Sequence, residues 1–339
     1  MKKLYKYILI NFAKVFLGLL GVFALVVVSS QLLNLPQAIY RSDIYSFIKA
    51  ILLMNFSFFK IELIFAYIIS SLLIGYSLRE SREIYAIYSM GISKYQLLIP
   101  FTGLTVLFTT LALITSMFIV PWANRERSSF FTLSVREHFL ESIQKKNFFE
   151  LSKDIIIYVR DKKENEVDKI FIYNKEAGQA ISAEKGIFRG NGLILEDGFV
   201  QIPEKDNFNL LKFKSYSMNF NVSYVKTYSI RHYENSILLE MIKSNSKNAL
   251  KALAAISDRI SFGIPFVFLG FLGFLMGLYT IREKDYLIGI SIIIIIIYQI
   301  QSFYFTKLIE KGSISPLIYF IIIFAYFAGL TYYFFRKVK

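Results

Sequence analysis

Cysteine is absent from this 339-residue chain, histidine occurs twice, tryptophan once and proline six times. The lack of cysteine excludes disulfide staples, thiolate nucleophiles and cysteine-ligated metal centres together. The two histidines, His138 and His232, fall in different segments without neighbouring ligands at metal spacing, so both read as surface histidines. No glycine is followed by lysine, which excludes a Walker A phosphate loop, and no G-x-S-x-G nucleophile elbow occurs. Paired carboxylates such as Glu196-Asp197 flank a turn and read as solvated. With no nucleophile, metal or acid–base constellation in the sequence, the chain is not expected to be an enzyme. Energy for any uphill transport then has to come from another subunit.

Apolar residues are what the chain has in excess. They make up 55% of it, and the mean hydropathy is +0.48, high for a soluble protein. Six apolar stretches cover residues 7–33, 56–78, 95–120, 260–281, 287–305 and 317–335. Each is near or above the roughly 20 residues a helix needs to cross the hydrocarbon core. A polar insert, 121–256, separates the first three from the last three. The reading is an integral membrane protein with one large domain on one face: spans in 1–121 and 257–339, insert in 122–256.

Basic residues give the orientation. Lys2, Lys3 and Lys6, Arg79, Arg82 and Lys94, Arg282 and Lys284, and Arg336, Lys337 and Lys339 crowd one side. The opposite short loops hold only Arg41 and Lys49, and Lys307 and Lys311. By the positive-inside rule both termini are cytoplasmic and the insert is extracytoplasmic. The first stretch is too long for a signal peptide, and no small-residue cleavage site follows it. Much of the net charge of +14 lies in these juxtamembrane clusters, which anionic headgroups explain. Without a basic helix or an aromatic RNA motif, nucleic acid is not an expected partner.

The insert reads as all-β after a helical continuation over 122–146. Strands are expected at 154–160 (DIIIYVR), 169–173 (KIFIY), 179–189, 193–202 and 211–222. Gly190-Asn191-Gly192 between the third and fourth is a hairpin signal. Short strands at this spacing suggest a sandwich, jelly roll or barrel. A helix over 240–255 then returns the chain to the membrane.

One cytoplasmic segment stands apart, 79–93 (RESREIYAIYSMGIS). Ile84, Ile87 and Tyr88 recur at helical spacing, Gly91 is a stop signal, and Arg79, Glu80, Arg82 and Glu83 lie at its start. Two readings stand: an interfacial helix joining two spans, or a coupling helix whose apolar face and anchoring charge dock on a cytoplasmic ATPase.

Here the chain resembles the LptF/LptG permease family of the lipopolysaccharide exporter, over essentially its whole length. The resemblance is carried by Glu83-Ile84 through Gly91-Ile92-Ser93, by Pro121-Trp122, and by Ala183, Gly186, Leu193, Leu195 and Gly198 in the insert. Phe213 and Tyr216 follow in the same order. Asp258-Arg259-Ile260, and Gln301 and Ser302 ahead of Gly312 and Pro316, are similar to the LptF type in particular. Family members often carry a proline inside span two; here none lies between Pro36 and Pro100, so any kink would fall to Ser70, Ser71 and Gly75.

The resemblance implies six transmembrane helices with an all-β, jelly-roll-like periplasmic domain between the third and fourth, in the inner membrane of a Gram-negative bacterium. It implies half of an exporter's membrane unit, paired with an LptG-like permease over an LptB-like ATPase dimer that binds the ATP and Mg. This chain itself would bind no cofactor. LptC-like and LptA-like jelly-roll proteins would receive the lipopolysaccharide. Arg79, Arg82, Glu83, Ile84, Ile87, Tyr88 and Gly91 would couple to the ATPase. Arg41, Lys49, Lys60 and Arg259 are candidates for lipid phosphates, although Lys60, with Glu62, also reads as snorkelling to the interface and Arg259 as paired with Asp258. Phe16, Phe23, Ile293, Ile297, Tyr298 and Phe303 are candidates for the acyl-chain cavity, with bilayer contact as their other reading. A permease for another lipid or lipoprotein cargo would share the coupling helix, though its extra domain usually follows the first span. A scaffold or receptor without an ATPase would tolerate loss of Glu83 and Gly91.

Overall fold

The computed structural model describes residues 2–33, 35, 37–40, 43–137, 146–152, 155–163, 166–189, 192–204, 207–219, 229–280 and 282–336. The chain divides into two compact units. One is helical and comprises Met1–Asn34, Lys49–Ser128 and Tyr228–Lys339; the other holds Leu35–Ile48 and Ser129–Thr227. The helical unit thus extends further into the expected insert, 122–256, at both of its ends. His138, Arg41 and the Gly190-Asn191 turn lie outside the described residues.

The helices are α1 (Lys2–Leu32), α2 (Ile44–Glu80), the short α3 (Glu83–Ser89), α4 (Lys94–Ile114) and α5 (Val120–Glu137). The wide π turn Thr115–Ile119 joins α4 to α5, so span three runs on unbroken into the expected helical continuation. After the insert come α6 (Asn235–Lys243), α7 (Ala249–Ser261), α8 (Phe266–Tyr279), α9 (Lys284–Glu310) and α10 (Pro316–Arg336). Among the described residues five stretches are long and apolar enough to span a membrane; α7 and α8 together make a sixth. That sixth, expected over 260–281, is bent rather than straight. It bends by 40° between Ser261 and Phe266, where Pro265 lacks an N–H and its ring opposes the carbonyl four residues back. The return helix expected over 240–255 is likewise two helices, α6 and α7.

Span two is central and mostly buried. It continues through Ser70 and Ser71, whose hydroxyls donate to the Ala66 and Tyr67 carbonyls (2.5 and 2.9 Å). Gly75 serves contact with α8. A Cβ there would strike the Phe274 carbonyl, one on Gly273 would meet the Ile68 carbonyl at 2.5 Å, and one on Gly277 would strike the Leu72 carbonyl. Backbone meets backbone along this seam, as small residues permit between membrane helices. Around it pack Phe12, Tyr67, Phe101, Phe108, Phe266 and Phe274, with Tyr67 stacked on Phe108 at 4.4 Å.

In the second unit, β1 (Phe148–Ser152), β2 (Ile155–Lys163), β3 (Glu166–Asn174), β4 (Gln179–Arg189), β5 (Gly192–Glu204) and β6 (Asn207–Asn219) form one antiparallel sheet in sequence order. The all-β expectation holds, with the connectivity of a meander rather than Greek keys. The sheet nevertheless encloses a core, because it creases. Cα pairing passes directly from the row Val159–Ile170–Ala183–Gly198–Phe213 to the row Asp161–Asp168–Lys185–Glu196–Ser215. One residue per strand is left over between the rows: Arg160, Lys169, Glu184, Asp197 and Lys214, all exposed. Lys169 and Asp197 take left-handed backbone (φ 52° and 50°). Each extra residue shifts the two-residue alternation by one, so the inward positions run Val167 then Ile170, and Leu195 then Gly198. Val167, Leu193 and Leu195 beyond the crease thereby share one core with Ile157, Val159, Ile170, Ile172, Ile181 and Val200 before it.

Candidate functional site

At the Arg79 end of the helical unit, α3 is a two-turn helix bounded by tight turns. Arg82 precedes it in left-handed backbone (φ 58°). Gly91 (φ 78°) closes it: its N–H donates to Tyr88 O (2.9 Å), and that of Ile92 to Ile87 O (3.4 Å). This is a Schellman stop. Ser93 then starts α4 with a capping box, exchanging bonds with Gln96. The Gly-Ile-Ser triplet is therefore the turn that sets α3 against span three.

The periodicity within 79–93 is as expected, but its apolar face points elsewhere. Ile84 and Ile87 are buried in the helical core, which corrects their assignment to an ATPase-docking face; an apolar stripe covered from within is unavailable to a partner. Tyr85 and Met90 are 68% and 67% exposed, while Tyr88 is 37% exposed and shares a hydrogen bond with Tyr279. Glu83 accepts from the Tyr7 hydroxyl at 3.4 Å. Arg79 is turned inward, donating to Arg282 O (2.9 Å) and stacking over Tyr76. The outward surface thus includes Arg82, Tyr85, Tyr88 and Met90, with Glu83 half-buried beside them; sequence reasoning missed Tyr85 and Met90.

Near the middle of α2 lies a polar cluster. Lys60 pairs with Asp258 of α7 at 3.1 Å and lies over the Phe262 ring. Asp258 also accepts from Ser302 of α9 (3.2 Å), and Ser302 and Ser261 both hydrogen-bond Tyr319 of α10 (2.8 and 2.7 Å). Lys60 therefore does not snorkel freely. Arg259 is only 3% exposed and donates to the carbonyls of Arg231 (2.9 Å) and Tyr233 (2.7 Å) and to Asn235 Oδ1. Its donors are thus taken up by two backbone carbonyls and the Asn235 amide oxygen, while the adjacent Asp258 carboxylate bonds to Lys60 and Ser302. Arg231 pairs with Glu310 at 2.7 Å and Arg125 with Glu234 at 3.0 Å. Arg127 is held over the Phe58 ring and meets no carboxylate among the described residues. His232 is half-buried rather than on the open surface. Burial, then Arg127, Arg259 and Arg231, lowers its pKa and keeps it neutral. Lys49 lies within α2, not in a loop.

The acyl-chain candidates separate. Ile293, Ile297 and Phe303 stand exposed on α9 with Ile300 and Tyr304, one apolar stripe. Phe16 and Tyr298 are internal: Phe16 packs on Phe108 (4.8 Å) and Tyr298 on Phe327 (5.5 Å). Neither reaches a surface that a lipid could touch. Phe23 leans on Phe65 at 5.8 Å.

The family description "Lipopolysaccharide export system permease LptF/LptG" matches residues 6–337. The chain belongs to the LptF/LptG family. It is a multi-pass membrane protein, a permease subunit of that family, with a β-sheet domain inserted among its spans. The match does not separate the LptF type from the LptG type. Among curated proteins no match is found. Several family positions gain a physical reason from the fold. The three-residue spacings Ala183 to Gly186, Leu195 to Gly198 and Phe213 to Tyr216 each step across the crease. Added Cβ atoms at Gly186 and Gly198 would meet Val167 Cγ2 at 2.9 Å and Phe213 Cζ at 2.6 Å. Gly312 (φ 74°) makes a second Schellman stop, at the end of α9, and Pro316 opens α10.

Proposed function

We propose that this LptF/LptG-family chain, LptF-like more than LptG-like, is one permease subunit of an ABC exporter that extracts lipopolysaccharide from the inner membrane and passes it to a periplasmic bridge. The observation that carries this reading is the family match over nearly the whole length. The Arg79–Arg82–Arg282 end faces the cytoplasm and the insert the periplasm, by the charge asymmetry of the loops. Glu83, Tyr85, Tyr88 and Met90 form the contact to an LptB-like ATPase dimer, which binds ATP and Mg and does the hydrolysis. An LptG-like permease completes the membrane unit.

The exposed α9 stripe of Ile293, Ile297 and Phe303, with Phe23 of α1, offers acyl chains an apolar wall. Among the cations around the Lys60 cluster, Arg127 meets no carboxylate among the described residues, which favours it for a lipid phosphate over Lys60 or Arg259. The creased sheet shelters an apolar interior for the chains in transit. Its edge strands, β1 and β6, are suited to strand addition by LptC-like and LptA-like partners; β6 carries exposed Phe208, Leu210 and Leu211.

Affinity purification from the native membrane tests the reading. Wild type should bring down an ATPase and a second permease, and Glu83→Ala or Tyr85→Ala should weaken the ATPase band alone. A wild type that brings down neither partner refutes membership of an ABC complex.

A further inference from the structure

The segment where the chain returns from the insert is fastened to three spans through two guanidiniums and one amide. Buried Arg259 sits near the end of α7, just before the Pro265 bend. Its fork holds the Arg231 and Tyr233 carbonyls and Asn235 Oδ1. The Asn235 amide continues the chain of bonds, donating to Met117 O at 3.0 Å. Met117 lies in the π turn of span three, the kind of widened turn that recurs at functional sites. On the same segment Arg231 reaches Glu310 at the end of α9, which Lys307 also holds (2.7 Å each). The preceding residue, Asp258, turns the other way to Lys60, Ser302 and so to Tyr319. One turn of α7 thus joins the bundle on one side and the return segment on the other. Burying a charge among backbone carbonyls is a poor route to stability alone, since well-packed apolar side chains do at least as well. Its geometry is specific instead: a planar fork fixes several acceptors at once, which a lysine cannot copy.

We propose that Arg259 and Asn235 are positioning residues for transport, which make residues 230–236 move as one body with spans three, four and five, so that motion of the spans in the ATP cycle reaches the insert at its point of return. The inference rests on the permease reading. The decisive variant is Asn235→Asp. It retains an acceptor for Arg259 but has no donor for the Met117 carbonyl, and it is nearly isosteric, so the fold is retained.

The chain has no cysteine, so spin labels can be placed at Glu126→Cys on α5 and Leu239→Cys on α6 of the assembled transporter. Both positions are exposed. Wild type should give one narrow distance, the same without nucleotide and after vanadate trapping, and Asn235→Asp should broaden it. Lipopolysaccharide delivered to the insert per ATP hydrolysed should fall about ten-fold in the variant, with hydrolysis within about two-fold of wild type, the scale expected for one buried carbonyl left without its donor. Arg259→Gln should act in the same direction. An Asn235→Asp transporter with unchanged distance and unchanged lipid per ATP overturns the proposal, as does a wild-type distance that changes with nucleotide. If wild type hydrolyses ATP and holds the narrow distance that Asn235→Asp broadens, yet delivers no lipopolysaccharide, the cargo reading fails while the fastening stands.

Discussion

The two faces of α3 should fail in different assays when cut back separately. Ile87 is buried in the helical core, so Ile87→Ala removes three carbons and leaves a cavity, at a cost of about 2–5 kcal/mol. That is a large part of the roughly 5–15 kcal/mol that holds a typical domain folded. Tyr85 is 68% exposed; Tyr85→Ala should change the subunit's own stability by no more than about 0.5 kcal/mol. If Tyr85 is an aromatic anchor at the ATPase interface, however, its loss costs about 2 kcal/mol of binding, close to a 30-fold weaker dissociation constant. Thermal unfolding of the detergent-solubilised subunit and titration with the purified ATPase measure the two effects independently. Ile87→Ala should melt several degrees lower, and Tyr85→Ala should melt like wild type and bind poorly. The opposite pattern, docking lost with Ile87→Ala at full stability and retained with Tyr85→Ala, would show that the buried stripe turns outward to meet its partner and would refute the assignment.

The glycine seam makes a paired prediction. Gly277→Ala should destabilise by about 1–3 kcal/mol, because its Cβ meets α2 backbone that cannot yield. Gly289→Ala, with nothing within 4 Å, should stabilise by up to about 1 kcal/mol through helix propensity; equal melting shifts would contradict this. Lys60→Met alone leaves Asp258, whose side chain is 39% exposed, without its cation and should cost about 1 kcal/mol, whereas Lys60→Met with Asp258→Asn should recover most of it, as a double-mutant cycle would read. Lys169→Gly relieves left-handed strain of about 1–2 kcal/mol against a glycine entropy cost of about 0.5–1 kcal/mol. It should therefore raise the melting temperature slightly, and a lowered one would remove the crease from the account.

Hydropathy located the spans because each has to present about 20 apolar residues to lipid regardless of what it packs against. Strand β4 was found to the residue, Gln179–Arg189, since alternation and a following turn signal mark it. Strand β1, Phe148–Ser152, was missed: five residues carry too little alternation to register. The bend in span four was also missed, although Gly263 and Pro265 are visible in the sequence, because a hydropathy average runs through them. The stripe Ile84, Ile87, Tyr88 was read correctly as a face, but periodicity says only that something covers it. Here the chain's own core covers most of it. The least legible features were the ion pairs. Lys60 and Asp258 are 198 residues apart, and Arg259 finds carbonyls rather than the carboxylate beside it. Partners of that kind follow from packing, which local pattern does not encode.

The positions where a simple period breaks are the ones that organise this molecule. Helical period gives way at the π turn of span three and at Pro265 in span four, and the strand period slips by one residue along the crease. Each break is a local cost that the surrounding structure has to offset, and natural sequences retain such costs where function asks for them. The two helical breaks lie on either side of one bonded path, from the Met117 carbonyl through Asn235 to Arg259. A regular helix satisfies its own carbonyls and offers few to a neighbour; the wide turn lets Met117 accept from outside. A straight span four would carry Arg259 on a helix that runs directly into the bilayer, where a buried guanidinium is costly. The bend instead leaves α7 at an angle to α8, with its charged turn against the returning chain. The irregularities therefore supply the geometry that the polar cluster requires, and restoring regularity at either one should loosen the same fastening.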